Sequence, residues 1–557
     1  MKLRQMTAVL LCVLMLAAVA GAVASQSENV AEGPFGKFPE PVSMSIGRGI
    51  VSDPSFLEGE DMDHNMYIDL CKESLNIDIS YAWLAGSVTD GDAYKTKINL
   101  IIASEDMPDV MYLDNRQQLK QLMDAGVLAD LQGAYDAYAS DVTRGFYESY
   151  TYPNDPDGLE TCRSHGQLLA LPNTNLAYQY TITWIRKDWM DKVGETAPET
   201  LDDICRIAKA FVDQDPGGNG PGKTVGITVN NNVVGYYNAV SCLDNVFSYY
   251  QSYPRVWVQD PATGEYAYGT TLPETKAALA KVAEMYRDGL IDPQFATDDY
   301  SQVIAAGQCG VVLGPWWQPW WPLESTLEQG NPDAVWTPYL APLAPDGNYY
   351  QPYPNPHTNW MVVNKDYAHA DAVVKMFNLT NFMLGQQAEA DELIPNTTSE
   401  FGAVYAQLNK SWTMWPFPMQ MIWNDNMLRL AGDLRKNIDA GNNFCDNPSF
   451  DMYIQGYNGY LTNPGADTNQ TLMYMNTCSV LLQAEKDPLM KYPLLGFPGT
   501  TDTMVSRWGN LETLENQAIL QIIMGQQPIE YFDTFVQQWN DQGGAKITQE
   551  VNAALGN

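Results

Sequence analysis

Between Val42 and Leu131, short apolar runs alternate with longer stretches whose apolar positions recur every three or four residues. Val42 to Ile46 predicts a first strand, Met66 to Ser74 a helix, and the alternation Ile77, Ile79, Tyr81 a second strand. Tyr94 to Ser104 is helical in pattern, Asp109 to Leu113 is a short apolar strand, and Asn115 to Ala125 is a helix closed by Gly126. The same grammar returns further on. Thr200 with Asp203 resembles a capping box, and Leu201, Ile204, Ile207, Ala208 and Phe211 follow at the spacing of one buried helix face. A glycine loop then leads to a strand over Val225 to Val229. Pro273 to Asp288 reads as an amphipathic helix with Leu279, Val282 and Tyr286 inward and Gly289 at its end, and Gly310 to Leu313 as a buried strand. Strands alternating with helices predict layered α/β architecture, here in two lobes, without solenoid repeats.

Composition narrows the partners. A chain of 557 residues, 45% hydrophobic and 18% charged, holds core enough for two or three compact units. With 31 Lys and Arg against 67 Asp and Glu, the formal charge of -36 repels phosphate backbones and excludes nucleic acid as a partner. Lys2 and Arg4, the apolar run Ala8 to Ala20 and the small-residue site Ala22-Val23-Ala24 predict a signal peptide over 1–24, followed by a polar tether over 25–40. That run is shorter than the roughly 20 residues of a membrane span, and no later segment qualifies. Beyond Cys12 an odd number of cysteines remains: Cys71, Cys162, Cys205, Cys242, Cys309, Cys445 and Cys478. At least one must stay unpaired, and buried small hydrophobes are the expectation for most. The histidines show no zinc-ligand spacing.

Four features carry candidate chemistry. Gly217 to Thr224, GGNGPGKT, fits the phosphate-loop formula, but a helix precedes it and a strand follows, the reverse of what a phosphate site needs, so a plain turn is expected. The same loop offers Asp215, Asn219 and the Pro221 carbonyl in an EF-hand-like series. Asp215 and Asn219 are therefore candidate calcium ligands, although Gly217, Lys223 and Thr224 stand where oxygen ligands are wanted. In Gly314 to Pro322, GPWWQPWWP, Trp316, Trp317, Trp320 and Trp321 crowd one proline-stiffened loop. An indole face matches the C–H face of a pyranose ring while neighbouring polar groups take its hydroxyls, so saccharide binding is favoured over core packing, with some of the four expected to pack. Trp83, Trp360, Trp412, Trp415 and Trp508 are further candidates for the same site. Arg48, after the first strand in IGRG, and Asp114, just beyond DVMYL, stand where a carboxyl-end loop would face a ligand, with solvated surface residues as the alternative reading of both. Catalysis has little support, since no G-x-S-x-G occurs and chance acidic pairs abound.

In order along the chain, TKINLIIASEDMPDVMYL (Thr96 to Leu113), WIRKDWMDKVGETAPETLDD (Trp184 to Asp203), DPGGNG (Asp215 to Gly220), GPWWQPWWP, NWMVVNKD (Asn359 to Asp366) and IIMGQQPIEYFDTFVQQWNDQGGAKITQEV (Ile522 to Val551) resemble an extracellular solute-binding protein of carbohydrate ABC importers, in the subgroup named for lipoprotein LplA. The resemblance implies an α/β, two-lobed periplasmic-binding-protein-like fold of type II, its lobes joined by several crossover segments. It places lobe 1 at 41–177 and 357–430 and lobe 2 at 178–356 and 431–557, with crossings near Tyr178, His357 and Ala431. His357 thereby joins the candidate ligand-binding residues. The implied function is non-catalytic capture of an oligosaccharide in an inter-lobe cleft and delivery to the permease subunits of an ABC transporter. The alternatives are a secreted glycoside hydrolase or lyase, or a binding protein for peptides or other small solutes. Some relatives hold calcium in the loop after the DW block, and most carry a cysteine for a lipid anchor where this chain has Ala24-Ser25. The expectation is an exported monomer, periplasmic or extracellular, with no cofactor other than a possible calcium ion.

Overall fold

The computed structural model describes residues 32–556 apart from 51–55, 57–58, 87–91, 151–154, 156, 175–180, 236–239, 261, 330, 353–356, 384–414, 420, 447–449, 463–477, 481, 484–488, 494–495 and 498. The expected signal peptide, residues 25–31 of the tether, Trp412 and the crossing near Tyr178 lie outside the described residues. The chain divides into two compact units: Met1–Tyr147, Cys162–Asn173 and Thr358–Met421 form unit 1, and Glu148–Thr161, Thr174–His357 and Ile422–Asn557 form unit 2. The excursion of 148–161 into unit 2 has no counterpart in the sequence reading.

Unit 1 is built on a mixed sheet. Strand β1 (Val42–Ile50) pairs in parallel with β2 (Ile77–Gly86) on one side and β3 (Val110–Leu113) on the other. Beyond β3 the strand Trp360–Val363 runs antiparallel, with Trp360 opposite Leu113, and Leu171–Pro172 closes the edge. All of β3 is buried, which is why it reads as a continuous apolar run with no alternation. The connecting helices are stopped where their sequences say. In α1 (Met66–Leu75), Asn65 caps the first turn and Asn76 ends the helix in the left-handed conformation. Helix α2 (Asp92–Ser104) joins β2 to β3. In α3 (Arg116–Ala125), the Asn115 side chain accepts from the Gln118 N–H and Gly126 supplies the left-handed stop.

One boundary moves. Strand β1 continues to Ile50, so Arg48 lies within it and not in a loop after it. The continuation follows from β2, which runs on to Gly86 and offers partners as far as Ile50 after a register shift between Ile46 and Gly47.

Unit 2 carries a four-stranded sheet in which β4 (Thr181–Arg186) is central. The antiparallel pairing of β4 with β6 (Cys309–Pro315) and β7 (Trp336–Tyr339) and the parallel pairing of β6 with β5 (Val225–Ile227) give the order β7-β4-β6-β5. Helix α4 (Leu201–Gln214) opens with the full reciprocal capping box between Thr200 and Asp203 and buries Leu201, Ile204, Ile207, Ala208 and Phe211, the five positions read from its spacing. Helix α5 (Pro273–Arg287) begins on its proline and buries Leu279 and Val282, while Tyr286 is only partly covered. The long helix α6 (Asp502–Ile523) seals the same core through Leu511, Ala518, Ile519 and Ile522. Cys71, Cys162, Cys242, Cys309 and Cys478 are buried, as expected of small apolar fillers. Among the described residues no helix is long and apolar enough to cross a membrane.

Candidate functional site

The parallel strands of unit 1 end at one edge of the sheet, and the antiparallel strand Trp360–Val363 begins there, so this edge gathers most of the residues singled out in that unit. Arg48 is only 3% exposed. Its Nε donates to the Gly49 carbonyl at 3.0 Å, and Nη1 donates to the carbonyl oxygen of Trp415. Burial lowers the guanidinium from its ordinary pKa, and the phenols of Tyr81, Tyr112 and Tyr94 act in the opposite direction. So enclosed, Arg48 holds Trp415 in place, and Trp415 in turn sits with its ring 5.4 Å from that of Tyr67.

Trp83 is half-buried, and its indole lies directly over Gly47, where a Cβ would come within 2.3 Å of Cε2. Lys97 Nζ stands 5.7 Å from the Trp83 ring centre and Tyr94 is 6.0 Å away, so the indole is propped on three sides. Asp114 is the first residue beyond β3. Its Oδ1 is buried and has no hydrogen-bond partner among the described residues, and burial pushes its carboxyl up against the pull of Lys95. Trp360 is buried with Arg116 over its ring at 5.2 Å. The indole N–H groups of Trp83 and Trp360 also lack partners among the described residues, but so do those of Trp184, Trp189 and Trp539 in the core of unit 2. The Asp114 oxygen is therefore the discriminating group, because a carboxylate oxygen buried without a donor is more costly than an unpaired indole N–H.

In unit 2 the tryptophan segment leaves the carboxyl end of β6. Gly314, at φ +154, leaves room for Gln318, whose Nε2 would be 2.0 Å from a Cβ at that position. Gln318 is buried, donates to the Leu313 carbonyl at 3.3 Å, and keeps an Oε1 with no partner among the described residues. The tryptophans divide by role. Trp316 is 8% exposed and packs with Ile182, Tyr349, Met427 and Leu430, so it carries the packing left open among the four. Trp317 is half-buried at the margin of that cluster, and Trp321 is 47% exposed with Tyr300 edge-on at 6.1 Å. The Trp320 side chain lies outside the described residues.

Two candidates stand apart from both groups. Trp508 meets Tyr268 edge-on at 5.4 Å within the helical core of unit 2, where Tyr268 also stacks on Trp539. His357, 4% exposed, has Nδ1 3.5 Å from the Thr161 hydroxyl at the last residue of its segment of unit 2. Sequence reasoning missed Tyr81, Tyr94 and Tyr112 around Arg48. The period of two that joins Ile77, Ile79 and Tyr81 also puts the candidate Trp83 on that face of β2, a signal that could have brought Tyr81 into the set with it.

The loop Asp215–Thr224 is the helix-to-strand turn expected. Asp215 Oδ1 accepts from the Asn219 N–H and the Thr224 hydroxyl, and Oδ2 accepts from the Gly220 N–H at 2.9 Å. The Thr224 hydroxyl and the Gly220 N–H, in that order, hold the carboxyl below its ordinary value. Calcium takes six to eight oxygens, but this loop turns its own donors onto its one carboxylate. Lys192 Nζ donates to the Pro216 carbonyl at 2.9 Å, and a side chain at Gly217 would strike the Trp189 ring at 2.5 Å. No group of three His, Cys, Asp or Glu among the described residues is placed to hold a metal. The residues do not fit calcium. Millimolar calcium and EDTA are accordingly expected to leave the melting temperature unchanged; a rise of several degrees with calcium would show that the loop rearranges to bind it.

Comparison with known proteins agrees with this architecture. A family model described as bacterial extracellular solute-binding protein matches residues 72–390, more than half the chain. Lipoprotein LipO of Bacillus subtilis (strain 168) is 27% identical over 240 residues, 42% of this chain and 44% of LipO. The fructooligosaccharide ABC transporter substrate-binding protein FusA of Streptococcus pneumoniae serotype 4 is 25% identical over 218 residues, 37% of this chain and 39% of FusA. The chain thus matches less than half the length of these curated relatives. Among solved structures, the alginate-binding protein AlgQ2 without calcium ion superposes with a TM-score of 0.60 at 15% identity, over 93% of this chain and 99% of that one. An extracellular solute-binding protein from Bifidobacterium longum subsp. infantis gives 0.60 at 15%, over 93% and 98%. These likenesses establish the two-lobed α/β fold of periplasmic solute-binding proteins. The chain belongs to the bacterial extracellular solute-binding protein family.

Proposed function

We propose that the chain is a non-catalytic exported carrier, acting as a monomer, that takes up an oligosaccharide and delivers it to the permease of an ABC importer. The observation that carries this reading is the carboxyl edge of the unit 1 sheet, where the half-buried Trp83 on β2 and Asp114 just beyond β3, its Oδ1 without a partner among the described residues, flank the end of β1. An indole held rigidly by Gly47, Tyr94 and Lys97 offers its face to the C–H face of a sugar ring without further loss of side-chain entropy. A carboxylate short of donors accepts hydroxyl protons, and a ligand that supplies them relieves the desolvation that raises Asp114. Trp317 and Trp321 give unit 2 aromatic surface of the same kind. The names of relatives point the same way: FusA is described as fructooligosaccharide-binding, and YtcQ of Bacillus subtilis as a polygalacturonan/rhamnogalacturonan-binding protein.

The test is a melting-temperature screen of the full chain against nystose, maltotetraose and a tetragalacturonide, with reducing ends measured in the same mixtures. A rise with at least one glycan and no new reducing ends is expected. New reducing ends would make the protein a hydrolase or lyase, and a melting temperature indifferent to every glycan would remove the carbohydrate assignment.

A further inference from the structure

We propose that unit 2 carries a second saccharide site, a tyrosine-walled cavity separated from the tryptophan segment by one two-stranded ribbon, which takes a short neutral oligosaccharide. The proposal rests on the reading of the chain as a glycan carrier and adds to it a site that the tryptophans do not line.

The cavity has a volume of about 910 Å³ and is walled by Tyr250, Tyr253, Tyr350 and Tyr492. This lies at the upper end of the roughly 300–1,000 Å³ of small-molecule sites. Its floor is one face of the hairpin formed by Trp257–Gln259 and Tyr266–Tyr268. Val258 and Ala267 are cross-strand partners and face the cavity, while the flanking pair Trp257 and Tyr268 turns into the core. Because alternation in a strand is strict, burying Trp257 and Tyr268 forces Val258 and Ala267 outward, and two small side chains leave the space that the tyrosines enclose.

The location argues for a working site. The ribbon of β8 (Tyr349–Tyr350) and β9 (Met490–Lys491) pairs Tyr349 with Met490 and Tyr350 with Lys491. Tyr349 and Met490 pack in the cluster that contains Trp316 and has Trp317 at its margin, whereas Tyr350 and Lys491 line the cavity. The tryptophan segment and the tyrosine cavity are therefore opposite faces of the same pair of strands. Tyr349 fastens this ribbon to the main sheet, donating to the Thr181 carbonyl and accepting from Asn245 Nδ2 at 3.1 Å.

The chemistry of the walls selects the ligand class. Tyr250 and Tyr350 are half-buried, so each shows part of an aromatic face and can meet the apolar side of a sugar ring. The exposed rim mixes the amides of Gln251 and Gln259 with the carboxylates of Asp260 and Glu274 and the ammonium of Lys491. Donors and acceptors of this kind suit hydroxyl groups. Two carboxylates against one ammonium disfavour an anionic sugar, so a neutral chain is expected in preference to a uronate.

Titration calorimetry of the full chain with nystose, maltotetraose and a tetragalacturonide tests this, run on the wild type and on Ala267→Trp, which fills the cavity from its floor. Tyr250→Ala, which removes one wall and leaves the hairpin untouched, guards against misfolding of the first variant. A neutral glycan is expected to bind the wild type at two sites, one of them lost in Ala267→Trp and weakened several-fold in Tyr250→Ala, with the tetragalacturonide binding at no cavity-dependent site. A single site unaffected by either substitution would overturn the cavity and leave the carrier reading standing. A single site lost in Ala267→Trp and kept in Trp317→Ala would support the cavity against the tryptophan segment. No binding of any glycan would overturn both.

Discussion

Glu515→Ala is expected to lower the unfolding free energy by about 3 kcal/mol or more, the range seen when one partner of a buried ion pair is removed. Glu515 is 1% exposed on α6, and its carboxylate accepts from Tyr268 Oη at 2.9 Å, Thr270 Oγ1 at 3.1 Å and Arg255 Nε at 3.3 Å. Truncation strands all three donors. Arg255 also donates through Nη1 to Asn232 Oδ1 and the Val234 carbonyl, on either side of Val233 at φ 52, and through Nη2 to Asn516 Oδ1 on α6. That turn continues through Asn230, whose N–H donates to the Ser241 carbonyl at 2.6 Å, to the strand end where Ser241 N lies 3.3 Å from a Cβ built on Gly314. The network therefore links α6 to the base of the tryptophan segment, and glycan affinity is expected to fall together with stability.

Glu515 also has a pH signature. Burial raises its carboxyl above the ordinary value of 4.5, with Arg255, Tyr268 and Thr270 acting against the rise. The folded protein then holds this proton more tightly than the unfolded chain, so the contribution of Glu515 is largest below 4.5 and declines as pH rises through the folded value. Glu515→Gln, which keeps the shape and most acceptor capacity, is expected to be milder than the alanine change and to flatten that dependence. Chemical denaturation at several pH values checks both statements; an alanine variant as stable as the wild type would show that the network contributes nothing.

The second large effect is expected at Gly47. A side chain there would meet Trp83 at 2.3 Å from Cε2 and 2.4 Å from Nε1, well inside van der Waals contact. The indole must leave its place, since β1 is held by pairing with both β2 and β3 at this point. Gly47→Val should cost about 1–3 kcal/mol of stability through overpacking and should weaken glycan binding by about 10-fold, the loss of one aromatic anchor. Combining it with Trp83→Ala separates the causes. If both changes act by removing the same ring from the edge of the sheet, the double variant binds no worse than Trp83→Ala alone; additive losses would give Gly47 a separate role.

Much of the framework was legible because its signals are local. Asn115 with Gly126 and Thr200 with Asp203 fix helix ends through contacts within a few residues, and the apolar run of β3 marks its burial on both faces. Asp114 follows from the position of that strand alone. What was not legible depends on distant partners. Arg48 reads as a loop residue until the pairing of β1 with β2 as far as Gly86 is seen, and its burial depends on Trp415, 367 positions away. Trp316 and Trp317 are neighbours in a repetitive motif, and only Met427 and Leu430 decide which is packed. The excursion of 148–161 into unit 2 carries no periodic signal of its own. Calcium was left open by the loop sequence because only the folded loop shows that its own N–H and hydroxyl groups occupy Asp215.

We propose that Trp83 and Asp114 at the carboxyl edge of the unit 1 sheet bind a glycan, and, as a separate expectation, that Trp317 of unit 2 offers a glycan-binding indole face. Titration calorimetry of the wild type, Trp83→Ala, Asp114→Asn and Trp317→Ala with whichever glycan raises the melting temperature tests it most directly. Each aromatic substitution is expected to weaken the tight site by about 1–3 kcal/mol while leaving the melting temperature of the unliganded protein nearly unchanged, and Asp114→Asn to weaken it while raising that melting temperature. Wild-type affinity in all three variants would contradict the account.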